Sequence, residues 1–213
     1  MRTPTRSLLG ALLLTALLGA GCYPDQPDNI AAYDLVYTAY SPSYDFSAAR
    51  TYSIPDSVVL VTGNAADGDA PSVVDPLYGD QIIARIKQNF NAYGWEEVNS
   101  LDSPDVIMLP AVSKTENVTV YNYGWGYWGG YYPGYYPGWG WYYPGYAPSY
   151  SSYTSGSLIM LMTDPNGVSP SNNVPIVWTG VVNGLLEGSN TSLIARIQST
   201  IDEAFEQSSI LKH

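Results

Sequence analysis

Histidine and cysteine occur once each in this chain of 213 residues, as His213 and Cys22. One cysteine cannot close an internal disulfide, and one histidine at the last position leaves little for a catalytic triad or a zinc site. Basic residues are also scarce, 8 against 19 acidic ones, for a net charge of -11. Nucleic acid and anionic membrane surfaces both recruit clustered Lys and Arg, so neither is an expected partner. Charged residues together make up 13% of the chain, about half the usual share of roughly 25%. No apolar run reaches the roughly 20 residues needed to span a bilayer.

What is present begins with an address. Arg2 and Arg6 precede an uncharged run over residues 8–21 made almost wholly of Leu, Ala and Gly. That length suits the core of a secretion signal rather than a membrane span. The run stops at Leu18-Gly19-Ala20-Gly21-Cys22, which resembles the lipobox of bacterial lipoproteins, with Gly19 at the place that usually holds Leu. The resemblance implies cleavage before Cys22 and acylation of its sulfur and of the new amino terminus. Two or three acyl chains exceed what stable membrane anchoring requires. Residues 1–21 read as the signal and 22–32, polar with two prolines, as a lipidated tether. Removing the signal takes away two arginines and no acid, so the net charge of the remaining chain is -13. Tyr23, rather than Asp, follows Cys22, which favours the outer membrane of a bacterial envelope over inner-membrane retention.

Residues 33–213 read as a single domain. Residues 33–40 and 43–54 carry β-type side chains interrupted by Pro42 and predict a first strand in two pieces. Asp75 as N-cap, Pro76 at the first helical position, Ile82, Ile83, Ile86, Phe90 and Tyr93 at helical spacing, and Gly94 as terminator predict an amphipathic helix. Apolar runs over 106–113, 157–163 and 176–182 predict three buried strands. Asn190 as cap precedes a second helix with Leu193, Ile194, Ile197, Ile201, Ala204 and Phe205 on one face, and Arg196, Gln198, Asp202, Glu203 and Glu206 elsewhere. The order β-α-β-β-β-α predicts an α+β fold, an antiparallel sheet of about four strands with two helices packed on one face.

Residues 121–150 interrupt that plan. They contain 11 Tyr, 4 Trp, 8 Gly, 4 Pro and no charge. A Tyr-Tyr-Pro-Gly unit recurs at 131–134, 135–138 and 142–145. Pro then Gly suits the central positions of a type II turn, where the second residue needs a positive φ. Such a string of turns displays flat rings with polar edges, which stack on sugars or on protein partners. Trp125, Trp128, Tyr132, Tyr136, Trp139 and Trp141 are the candidate contact residues for an envelope protein or a glycan. Self-association through 121–150 is a second reading, and a loop folded back on the domain's own sheet a third. Outside the signal and this insertion, the remaining 162 residues hold 14 aromatics, so the aromatic excess belongs to the insertion.

The chain also resembles the bacterial lipoprotein family known as domain of unknown function 4136, and particularly its Bacteroidetes-type members. The likeness rests on Tyr44-Asp45-Phe46-Ser47 with Arg50-Thr51-Tyr52, Gly94-Trp95, Ser103-Pro104-Asp105-Val106, Ser155-Gly156-Ser157-Leu158, Val177-Trp178 with Gly180, and Ala204-Phe205-Glu206-Gln207-Ser208. It implies a lipid-anchored envelope domain of α+β type and supplies no catalytic residues.

Other polar groupings read as ordinary surface. Asn64, Asp67, Asp69 and Asp75 miss the ligand order of an EF-hand, so no metal is expected. Glu96-Glu97 and Asp202-Glu203 are adjacent pairs whose side chains diverge, unlike glycosidase carboxylates. Serine nucleophiles lack a base. The expected protein is therefore a non-enzymatic, cofactor-free envelope lipoprotein that acts as a structural or protein-interaction module. A carbohydrate- or peptidoglycan-binding module is the alternative. Trp178 in the third buried run is expected to be core.

Overall fold

The computed structural model describes residues 36–61, 72–113, 140–146, 156–183, 185 and 190–213. Its strands are β1 (Val36–Tyr40), β2 (Thr51–Ser53), β3 (Val59–Val61), β4 (Glu96–Glu97), β5 (Val106–Ser113), β6 (Gly140–Tyr142), β7 (Leu158–Thr163) and β8 (Asn173–Val182). Two helices, α1 (Pro76–Ala92) and α2 (Asn190–Glu206), and a 3-10 turn over Ser209–Leu211 complete the described elements.

The fold is α+β, but the sheet is mixed and larger than the four antiparallel strands expected. The order is β1-β8-β7-β5-β2-β4, with β3 also on β5 and β6 also on β8. The antiparallel part is β1-β8-β7-β5. Four short strands add parallel pairs: β2 with β4 and β5, β3 with β5, and β6 with β8. β2 lies within the strand run expected over 43–54, whereas β3, β4 and β6 escape a periodicity reading because two or three residues are too few to display an alternation.

β5 shows how one buried strand accommodates a proline. Along one edge it pairs with β2 at Val106 and Ile107 and with β3 from Ala111 to Ser113. Pro110 falls in the gap between these ladders, where its missing N–H costs nothing.

Side chains alternate strictly across the central strands. Val106, Met108 and Val112 of β5 and Leu158, Met160 and Met162 of β7 join the helices in one apolar cluster. Ile107, Leu109, Ala111, Ile159 and Leu161 point the opposite way and form a second cluster with Val59, Val61, Val174, Ile176 and Val181. Both faces being apolar explains why these runs read as continuous rather than alternating. In β8 a register shift lets Met162 pair with Trp178 and Thr163 with Ile176, leaving Val177 as the extra residue.

Both helices pack on the first face; the α1 cap follows the sequence signal, while α2 includes Asn190, expected as its cap, as its first residue. Asp75 accepts a hydrogen bond from the Leu77 N–H at 2.9 Å and Pro76 opens α1. Gly94, with φ +88°, takes the chain out of the helix. Ile82, Ile83, Ile86 and Phe90 of α1 and Leu193, Ile197, Ile201, Ala204 and Phe205 of α2 are buried. Arg196, expected off the apolar face, is buried as well, at 8% exposure. Phe90 is the hub: it stacks on Tyr52 at 4.1 Å and meets Trp95 and Phe205 edge-on at 5.5 and 5.3 Å. None of the helices among the described residues is long and apolar enough to cross a membrane.

Candidate functional site: the end of the aromatic insertion

The described part of the insertion, residues 140–146, is built into the sheet. β1 follows β8 from Val182 to Trp178 and then departs at Ser41, whose N–H donates to the Val177 carbonyl at 2.8 Å. β6 takes over the same edge of β8, pairing Gly140 with Asn173, Trp141 with Val174 and Tyr142 with Pro175. The far side of β8 is occupied there, since the Asp164 N–H donates to the Pro175 carbonyl. The Gly140 N–H donates to the Asn172 carbonyl at 2.8 Å, and a Cβ on Gly140 would overlap the Asn173 Oδ1. A side chain at that position would require the Asn173 amide to move aside.

The third Tyr-Tyr-Pro-Gly unit then turns. Gly145 has φ +76°, the positive value a Pro-Gly turn demands, and its Cα side faces Pro42. The Ser41 hydroxyl donates to the Pro144 carbonyl at 2.7 Å. Trp141 and Tyr143 pack on the second apolar cluster, and Tyr143 meets Tyr146 edge-on at 5.2 Å. The Tyr146 and Thr179 hydroxyls are hydrogen-bonded at 3.2 Å. Tyr142, by contrast, is exposed, at 39%. For this stretch the loop folded back on the domain's own sheet is what the chain adopts.

Of the contact residues predicted from sequence, Trp141 is thus half-buried and packed on the sheet. Trp125, Trp128, Tyr132, Tyr136 and Trp139 lie outside the described residues, as do Cys22, the tether and the Asn64–Asp69 loop. Sequence reasoning missed Tyr142 as an exposed ring and Tyr146 as an anchor; the Pro144-Gly145 turn was the available signal.

The polar groupings elsewhere act as joints. Asp105 Oδ2 accepts from the Arg50 N–H, the Thr51 N–H and the Thr51 hydroxyl, each at 2.8 Å. Burial pushes its pKa up, but these hydrogen bonds and the Arg50 charge outweigh it and hold the carboxyl below its ordinary value. Asp202, predicted as free surface charge, is paired with Arg85 by a forked ion pair and accepts from Asn89 Nδ2 at 2.8 Å. It too sits below its ordinary pKa, because Arg85 and Asn89 overcome the effect of burial. Asp164 goes the other way: burial and the Asp105 charge raise it despite hydrogen bonds from the Asn166 and Gly167 N–H groups. Glu96 and Glu97 are exposed, Glu97 bridging to Lys87 at 2.6 Å. His213 lies on the Trp95 ring, centroids 4.9 Å apart, with Arg50 Nη1 3.1 Å from its Nδ1. Among the described residues, no three His, Cys, Asp or Glu side chains come together as a metal site.

The motifs that carry the family resemblance fall on these joints. Asp45 accepts from the Ser47 N–H and hydroxyl, Trp95 donates to the Leu211 carbonyl at 2.7 Å, and Ser157 donates to Asn183 Oδ1 at 2.8 Å. Trp178 is fully buried, and its Nε1 donates to Ser208 Oγ at 2.8 Å. Gly180 leaves room for that indole: a Cβ there would stand 2.5 Å from Trp178 Cη2. The described residues of these motifs join elements of the fold.

Comparison with known proteins agrees. No functionally curated protein matches the chain. A crystal structure of a DUF4136 family protein from Bacteroides thetaiotaomicron VPI-5482 is similar at 27% identity, with a TM-score of 0.65, over 84% of this chain and 97% of that one. The PelC dodecamer from Paraburkholderia phytofirmans aligns over 80% of this chain and 95% of its own, at 9% identity and a TM-score of 0.34, too distant to bear on fold or function. The family model of the domain of unknown function DUF4136 matches residues 36–208, from the first strand to the serine that receives the Trp178 indole, and the chain belongs to that family.

Proposed function

We propose that the protein is a non-enzymatic lipoprotein of the bacterial cell envelope, anchored through acylated Cys22 in the outer membrane, and that it works as a structural or protein-interaction module through its aromatic insertion. The observation that carries this reading is the division within the insertion. Residues 140–146 are spent on pairing with β8, while Tyr142 stays exposed beside them. That fixes one end of a charge-free stretch whose remaining rings include Trp125, Trp128, Tyr132, Tyr136 and Trp139. Tyr and Trp supply large contact area at low cost in side-chain entropy, which suits a docking surface. A non-enzymatic role is supported by the use of the clustered polar groups, Asp105 with Thr51 and Arg85 with Asp202, in joining elements.

Excising residues 121–139 and leaving 140–150 in place tests this reading. Pull-down from solubilised envelopes is expected to lose its partners with this variant; retention of every partner would refute it. Cys22→Ser is expected to release the protein from the membrane fraction.

The alternative is a carbohydrate- or peptidoglycan-binding module, favoured by the exposed ring of Tyr142. Titration with peptidoglycan fragments while following Trp fluorescence separates the two readings. A saturable change supports sugar binding, and silence across the fragments refutes it.

A further inference from the structure

The seat occupied by residues 140–146 is selective for sequence. It wants a backbone N–H at its first position, where Gly140 donates to the Asn172 carbonyl, and glycine fits there without moving the Asn173 amide. It wants Pro-Gly at its fifth and sixth positions, where Ser41 donates to the Pro144 carbonyl and Gly145 turns with positive φ against Pro42. It wants tyrosine at its fourth and seventh, where Tyr143 packs on the apolar cluster and the Tyr146 hydroxyl bonds Thr179.

The chain contains a second peptide that meets every one of these conditions. Residues 129–135 read Gly-Gly-Tyr-Tyr-Pro-Gly-Tyr, against Gly-Trp-Tyr-Tyr-Pro-Gly-Tyr for 140–146, and each is preceded by Trp. The only difference is Gly130 in place of Trp141, which forgoes one ring on the cluster. The middle repeat fails the same test, since Pro133 stands where the seat needs the glycine N–H. Each copy of the protein therefore carries one seat and two peptides that fit it.

We propose that this seat, formed by Ser41, Pro42, Asn172, Asn173, Val174 and Thr179, is a docking site for residues 128–135 of a second copy of the chain. Exchange between copies replaces one set of contacts by a nearly identical set, the condition under which segment swapping is least costly. It deepens the proposed role of the insertion as a contact surface by naming the partner as another copy. Lipid anchoring would raise the local concentration of copies and favour the exchange.

The test uses the full chain carrying Cys22→Ser, so that it is independent of acylation, with Asp56→Cys as the labelling position. Donor- and acceptor-labelled batches are mixed and energy transfer between them is measured. A free peptide of residues 128–135 is then added, and in parallel its Gly134→Val form, which puts a β-branched side chain where Gly145 has φ +76°. Transfer is expected on mixing, and the parent peptide is expected to abolish it at a concentration at least about tenfold below the Gly134→Val peptide. Absence of transfer would overturn the proposal and leave the seat to the chain's own residues 140–146. Transfer that neither peptide lowers, or that both lower equally, would overturn it as well. Failure of either kind leaves the envelope-partner reading intact, because that reading is scored by pull-down with the 121–139 deletion.

Discussion

The hydroxyls of Tyr146 and Thr179 lie 3.2 Å apart and join the aromatic insertion to a central strand of the sheet. Thr179 is fully buried and Tyr146 half-buried. Tyr146→Phe keeps the ring against Tyr143 and removes only the hydroxyl. The expected cost in urea unfolding is about 1–3 kcal/mol, that of leaving a buried hydrogen-bonding partner unsatisfied.

Gly180 and Trp178 form a second dependent pair. Because a Cβ at 180 would meet Trp178 Cη2 at 2.5 Å and Met160 Cε at 3.0 Å, Gly180→Ala forces the indole or the thioether to move. A loss of about 1–3 kcal/mol is expected, with near-UV circular dichroism reporting the displaced indole.

Tyr52 makes the opposite prediction. It is fully buried, yet its hydroxyl finds no hydrogen-bond partner among the described residues. Burial raises its pKa, with the Glu97 charge adding to the effect. Tyr52→Phe removes a desolvated, unpaired hydroxyl and keeps the stack on Phe90, so stability is expected to stay level or rise. Phe90→Ala, which empties the hub of the same cluster, is expected to cost about 3–5 kcal/mol.

These residues also show how far a sequence carries. α1 was legible to the residue, from the Asp75 cap to the Gly94 exit, because capping and helical spacing are local. β5, β7 and β8 were legible as long apolar runs, and Trp178 as core. The parallel edges were not: β3, β4 and β6 are short, β2 was legible only as part of the 43–54 run, and all four pair with partners 33 to 54 residues away. The roles of Asp105 and Asp202 were hidden for the same reason, since Thr51 and Arg85 are remote in sequence. In the insertion, the Pro144-Gly145 turn was legible, but the seat that receives it is made by Ser41, Asn172 and Thr179.

Acid sensitivity follows from the three carboxylates. Asp105 and Asp202 have lowered pKa values in the folded state, so each stabilises above the unfolded value of about 4 and loses that contribution as pH falls through the folded one. Asp164 is raised, so its contribution is present at low pH and is lost as pH rises. Asp164→Asn keeps an oxygen for the Asn166 and Gly167 N–H groups and removes the buried charge. Urea titrations are expected to show this variant at least as stable as the parent at pH 7, with its advantage disappearing below about pH 4.

Native-state amide exchange at Gly140 tests most directly whether the end of the aromatic insertion is part of the fold. Its N–H donates to the Asn172 carbonyl within the β6–β8 ladder. Protection of at least about a hundredfold over a free peptide is expected, as for an amide that opens only with about 3 kcal/mol of local unfolding. Exchange at the free-peptide rate would contradict it.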